Sequence, residues 1–201
     1  TASSYEELLD KMTMNHHQRV FIKPRYGSGA AGVAAFQINR QNQQVLQTSL
    51  ALTKQGLINT KRVRRFSQPE KNRRLLDLLL QEDCILETWI PKDSVNGITY
   101  DLRIVYQLGK IVFAIPRGAD SPITNLHLND RPLDWAQISL PQSLWQKIDE
   151  LSRQTMTCFP ELVYAGLDVL IPAGDRQRVT PLIIEINGQG DLIYKDIFAD
   201  N

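Results

Sequence analysis

The sequence predicts an α+β fold in two lobes, residues 1–92 and 93–201, each carrying an antiparallel sheet. Three observations predict it. β-favouring runs follow one another at hairpin spacing over residues 32–38 and 45–52, and again over 100–107 and 110–116 around Leu108-Gly109. Helical periodicity is confined to residues 4–14, 69–81 and 141–159. Residues 91–97 read as a linker, which places the lobe boundary there.

In chain order, Ser3 or Ser4 caps a first helix with Glu6 and Glu7 near its positive end and Leu8, Leu9 and Met12 on one face. Residues 20–23 are a strand, and 58–66, weakly alternating, another. Pro69 starts the second helix, whose apolar stripe is Leu75, Leu76, Leu79 and Leu80. Residues 84–90 (CILETWI) are a strand, and 120–135, rich in Asn, Asp and Pro, a long loop. The third helix offers Leu144, Ile148, Leu151 and Met156 to a core. Strands at 162–171 and 179–186 close the chain around a turn at 172–175.

With 201 residues, 42% hydrophobic and 22% charged, the composition is that of a soluble globular protein. No apolar run approaches the ~20 residues of a membrane span, and no cationic-then-apolar leader opens the chain. Two distant cysteines, Cys84 and Cys158, fit a reducing, cytoplasmic setting better than a disulfide framework. A start at Thr1 rather than Met reads as a processed chain or a fragment. The net charge of +1 hides an asymmetry: residues 1–69 hold 10 Lys+Arg against 3 Asp+Glu, and residues 70–201 hold 13 against 19. A basic half and an acidic half suit a polyphosphate with its metal. The basic run Lys61–Arg65 raises nucleic acid as a partner, but only Phe66 lies near it, which argues against a stacking platform. The run reads as a solvated strand edge.

The stretch VFIKPRYGSGAAGV, residues 20–33, has the makings of a phosphate cradle. Gly27, Gly29 and Gly32 permit positive φ and close backbone approach, Ser28 can donate to a phosphate, and Lys23 brings a point charge. Its glycines match G-x-G-x-x-G, yet a strand follows instead of a helix, and no Asp or Glu occurs between Lys11 and Pro69 to hold a ribose. The lysine precedes the glycines, which excludes a P-loop. Near the C-terminus, Glu185 and Asn187 share one face of a strand, and Asp168 on the preceding strand can lie beside them. Two carboxylates and an amide oxygen suit Mg²⁺ shared with substrate phosphates. Arg103 and Arg117 offer bidentate contact to phosphate or carboxylate; for Arg103 the competing reading is an ion pair with Asp101.

The order of these parts resembles the ATP-grasp superfamily, and within it the RimK-like and glutathione-synthetase-like ligases, over residues 18–192. The parts are strand, Lys-Pro, glycine loop, Glu87 with Trp89-Ile90, Asp-x-Arg, a strand-end Arg, an Asn-bearing loop, Asp, and Glu-x-Asn. The resemblance implies two α+β lobes enclosing a nucleotide site. It implies that Lys23 touches the α- and β-phosphates of ATP, that the Gly27–Gly32 loop closes over them, and that Glu87, Trp89 and Ile90 border the adenine. Arg117, with Arg103, would face the γ-phosphate or acyl phosphate, and Asn125 in Asn125-Leu126-His127 would lie near substrate. Asp168, Glu185 and Asn187 would hold one or two Mg²⁺ ions, for which Mn²⁺ can substitute. The implied activity joins a small-molecule or peptide carboxylate to an amine, or to a thiol, through an acyl phosphate. Two departures stand out. Such ligases have a preceding domain with an earlier lysine, where this chain has about 20 residues, so a missing region or partner chain is expected to supply it. The ending Gly188-Gln189-Gly190-Asp191 also differs from the usual Asn-x-x-Pro-Gly. The alternative reading is an ATP-binding module or partial domain without catalysis of its own. His16, His17, Trp135 and Trp145 read as surface or packing residues, and Cys158 as a buried thiol.

Overall fold

The computed structural model describes residues 1–27, 30–124 and 131–188, which fall into two units: residues 1–90 with 121–124, and residues 91–120 with 131–188. In the first unit, Ser4 caps α1 (Tyr5–Met14), its hydroxyl accepting the Glu7 N–H at 3.2 Å. Lys11, then the hydroxyl and N–H of Ser3, hold the Glu7 carboxyl at about 2, well below its ordinary value. The unit's sheet runs β4-β3-β2-β1-β5, all antiparallel. Its strands are β1 (Arg19–Pro24), β2 (Ala34–Ile38), β3 (Gln44–Thr53), β4 (Gly56–Phe66) and β5 (Cys84–Thr88). Pro69 opens α2 (Pro69–Leu79), where its missing N–H costs nothing.

Strand alternation divides the sheet's residues between two faces. Val20 and Ile22 of β1, Phe36, Leu46 and Leu50 pack under Leu8, Met12, Leu75, Leu76 and Leu79 of the helices. The Tyr5 N–H donates to Asp77 Oδ1 at 2.8 Å, tying α1 to α2. The opposite face carries a smaller cluster, Phe21, Val33, Ala35, Val63 and Trp89, with Ile123 laid against it. Lys23 shares Phe21's parity and therefore this face. The basic run lies on β4, an edge strand, with Arg62, Arg64 and Arg65 exposed.

In the second unit the sheet runs β11-β10-β7-β8-β9, with β6 also paired to β7. These are β6 (Ser94–Val95), β7 (Ile98–Gln107), β8 (Lys110–Ala119), β9 (Arg131–Pro132), β10 (Tyr164–Leu170) and β11 (Leu182–Asn187), with α3 (Gln142–Thr157) packed on one side. Tyr100, Leu102, Ile104, Leu167 and Val169 face Leu144, Ile148 and Met156 of α3.

Four expectations are corrected. Residues 91–97 are no free linker: Ser94 and Val95 pair with Thr99 and Ile98, and Lys92 bridges Pro172. The turn is Asn96-Gly97, both at positive φ, the preferred chemistry of a two-residue hairpin. Residues 120–135 are not loop throughout, since β9 pairs Pro132 with Arg117. In α3 it is Ser152, not Leu151, that is fully buried; the inward positions repeat every fourth residue from Leu144, and Ser152 Oγ donates to the Ile148 carbonyl at 2.7 Å. Cys158, just past α3, is exposed; Cys84 is the buried thiol. Among the described residues no helix is long and apolar enough to cross a membrane.

Candidate functional site

The glycine loop joins β1 to β2. Gly32 sits at φ +74°, and a Cβ there would come within 2.7 Å of Pro24 Cγ, so both conformation and space demand glycine. Gly27 lies outside the left-handed region, while Ala30 adopts φ +58°. Ser28 and Gly29 lie outside the described residues. Beside the loop is an open depression of about 480 Å³, walled by Pro24, Gly32, Leu50, Leu57 and Leu79; Lys23 does not line it.

Lys23 instead meets Glu87. Phe21 and Glu87 are register partners between β1 and β5, and the diagonal brings Lys23 Nζ to 2.6 Å from Glu87 Oε2, with both side chains partly exposed. Trp89 stacks at a tilt on Phe21, ring centroids 5.5 Å apart, and the Arg19 guanidinium lies 5.8 Å from the Trp89 ring. Lys23, Glu87 and Trp89 thus lie along the β1–β5 edge of the sheet, on the face opposite the helices. Ile90 is half-buried beside Trp89.

The second unit assembles most of the remaining candidates. On β7 the core residues Tyr100, Leu102 and Ile104 leave Asp101 and Arg103 on the other face. Register then sets Arg117 of β8 opposite Asp101, Asp168 of β10 opposite Arg103, and Glu185 of β11 opposite Asp168. The side chains form an alternating chain of charge. Lys92 Nζ is 2.9 Å from Asp101 Oδ2. Arg117 donates from Nε and Nη2 to Asp101 Oδ1, both at 2.8 Å, and from Nη2 to Asp168 Oδ2 at 3.0 Å. Arg103 Nε donates to Asp168 Oδ1 at 2.5 Å and its Nη2 to Oδ2 at 3.3 Å. Arg103 therefore pairs with Asp168, which directly faces it, rather than with Asp101, its neighbour along the strand.

Burial separates the two arginines. The Arg117 side chain is 4% exposed, and that of Arg103 14%. Burial alone pulls the Arg117 guanidinium down, but Asp101 and Asp168 outweigh it and hold its value above the ordinary one. Arg117 is a permanent cation fixed by two carboxylates. Lys92 and Asp101, both buried, belong to the cluster and were not singled out as site residues by the sequence. Asp101 was legible as an acid in an apolar strand at Arg103's parity; Lys92 was hidden in the supposed linker.

Glu185 is exposed and Asn187 half-buried, the latter's Nδ2 donating to the Gly166 carbonyl at 3.4 Å. Asn125 lies outside the described residues. Among the described residues no group of three or more His, Cys, Asp or Glu is clustered for a metal. The implied set needs only two carboxylates and an amide. Asp168, Glu185 and Asn187 lie on one face of two hydrogen-bonded strands, and hard-oxygen donors of this kind fit Mg²⁺. Each Asp168 oxygen already accepts an arginine N–H, so an ion there would share the carboxylate with Arg117 or displace Arg103. Comparison with protein-family models gives no match, and comparison with curated proteins gives none.

Proposed function

We propose that the chain is an ATP- and Mg²⁺-dependent ligase of the ATP-grasp type that joins a carboxylate to an amine through an acyl phosphate. One observation carries the reading: Arg103, Arg117, Asp168 and Glu185, which come from four different strands, meet on a single face of the second sheet. Phosphoryl transfer asks a protein mainly for positioning and charge neutralisation, and this face offers fixed cations beside carboxylates. Lys23 and Glu87 on the first unit add a cation with a hydrogen-bond acceptor next to Trp89, an arrangement suited to phosphate and base.

In this reading Lys23 leaves Glu87 for a phosphate oxygen. Arg103 and Arg117 stabilise the charge that develops on the transferred phosphoryl group. Asp168, Glu185 and Asn187 hold Mg²⁺, which when bound supplies neutralisation of the phosphate charge.

A second reading has its own support. With Arg117 so deeply buried between Asp101 and Asp168, the cluster also serves as an ion network that staples three strands, and the chain would then be a nucleotide-binding module without catalysis. Calorimetric titration with a non-hydrolysable ATP analogue, with and without Mg²⁺, tests nucleotide binding. Phosphate release from ATP with a panel of amino acids and peptides separates ligase from module. Lys23→Ala is expected to weaken analogue binding by roughly 10- to 100-fold, the loss of a charge-assisted contact. Full affinity in that variant refutes the phosphate assignment.

A further inference from the structure

We infer that Arg103 and a divalent cation are alternative partners of Asp168, so that the second unit takes its cation together with a phosphate-bearing ligand and not as the bare ion. The inference rests on the ligase reading and adds to it a rule for what binds with what.

Asp168 is 4% exposed and receives both arginines. Arg103 grips it through two N–H groups, Nε to Oδ1 and Nη2 to Oδ2, while Arg117 reaches only Oδ2. Arg117 cannot yield, because its Nε and Nη2 are also held by Asp101, which Lys92 anchors from the other side, all three side chains being at most 5% exposed. Arg103 is the more accessible of the two guanidiniums. It lies on β7, across Asp168 from Glu185 on β11. A cation that approaches Asp168 and Glu185 therefore meets Arg103 as its competitor.

Charge decides the outcome. Asp168 already meets two guanidiniums, Arg103 at 2.5 Å and Arg117 at 3.0 Å. A bare divalent ion at the buried Asp168 carboxylate brings two more positive charges beside those two arginines, where like charges repel strongly. A polyphosphate changes that balance: it carries the ion's countercharge, and it gives the Arg103 fork a bidentate partner of the kind it favours. Arg103 then turns from Asp168 to phosphate as the ion takes its place. Its fork acts as a built-in stand-in for the metal.

The test is equilibrium dialysis of the intact chain against Mn²⁺, alone and with a non-hydrolysable ATP analogue. Wild type is expected to retain Mn²⁺ at least about tenfold more tightly with the analogue than without it, and by linkage Mn²⁺ should tighten the analogue by the same factor. Arg103→Gln, which removes the competitor, should bind bare Mn²⁺ about tenfold more tightly than wild type. Arg103→Lys, which keeps the charge, should bind it as weakly as wild type does. Circular dichroism checks that both variants fold, and the wild-type comparison stands without them. Equal Mn²⁺ affinity in Arg103→Gln and wild type overturns the exchange but leaves the ligase reading intact. So does wild type binding bare Mn²⁺ as tightly as it does with the analogue. A wild-type chain that retains no Mn²⁺ even with the analogue overturns the ligase reading as well.

Discussion

Replacing Asp101 by Asn tests whether the charge chain is held together from its buried end. Asp101 is fully buried and accepts from Lys92 at 2.9 Å and from two nitrogens of Arg117 at 2.8 Å. Asn is close to isosteric, so packing is preserved while the carboxylate charge goes. Removing one member of a buried ion pair costs about 3–5 kcal/mol, chiefly because the cations left behind are desolvated without their countercharge. With a urea slope of about 2 kcal/mol/M, that lowers the unfolding midpoint of the second unit by roughly 2 M. Trp135 and Trp145, whose ring centroids lie 5.4 Å apart in that unit, give the fluorescence signal. Adding Lys92→Met to Asp101→Asn should recover part of the loss, because one stranded cation is gone; the two changes should be less than additive. A midpoint shift corresponding to less than about 0.5 kcal/mol, the range of ordinary surface changes, refutes the reasoning.

Two further outcomes follow from buried groups near this cluster. Burial, and then its hydrogen bond to Asp93 at 2.6 Å, raises the Tyr100 phenol above its usual 10.0. The folded state favours the protonated form, so the contribution to stability is full below pH 10.0 and is lost as pH rises through the folded value. Tyr100→Phe should flatten the decline of the urea midpoint above that pH; an unchanged profile speaks against it. At Gly118 a Cβ would meet Leu133 Cγ at 2.7 Å and both its methyls at 2.9 Å, and Leu133 is buried. Gly118→Ala should therefore cost about 1–3 kcal/mol in thermal or urea unfolding, and a variant as stable as wild type would show that Leu133 moves aside freely.

The parts of the fold that were legible in the sequence are those with sustained periodicity. The Leu75/Leu76/Leu79 stripe and the β7–β8 hairpin at Leu108-Gly109 stand where the pattern put them. Shorter elements escaped. β6 is two residues long, too short for alternation to register, although Asn96-Gly97 was a readable hairpin turn. That oversight hid Lys92, since a lysine in a linker gives no sign of burial. Ser152 was missed for a different reason: a serine scores as polar in a hydrophobicity pattern, yet inside a helix it satisfies itself on the carbonyl four residues back. The pairing of Arg103 with Asp168 was beyond sequence alone, because it depends on register between strands and joins residues 65 apart in the chain.

The shift in register between β10 and β11 has a consequence for how the chain tolerates change. Val169 faces Ile183, and Asp168 faces Glu185, so Ile184 is passed over. Ile183 and Ile186 both pack toward the core although they are an odd number of residues apart, which an uninterrupted strand would not allow. The skipped residue is thus a phase-shifter. Its side chain can vary, and so can its presence. Without it, Ile183 and Glu185 would be neighbours in ordinary alternation, Ile183 still opposite Val169 and Glu185 still opposite Asp168. In a library of random variants this position should accept many substitutions and a one-residue deletion as well, unlike a position inside an unbroken strand, where a deletion reverses every side chain beyond it.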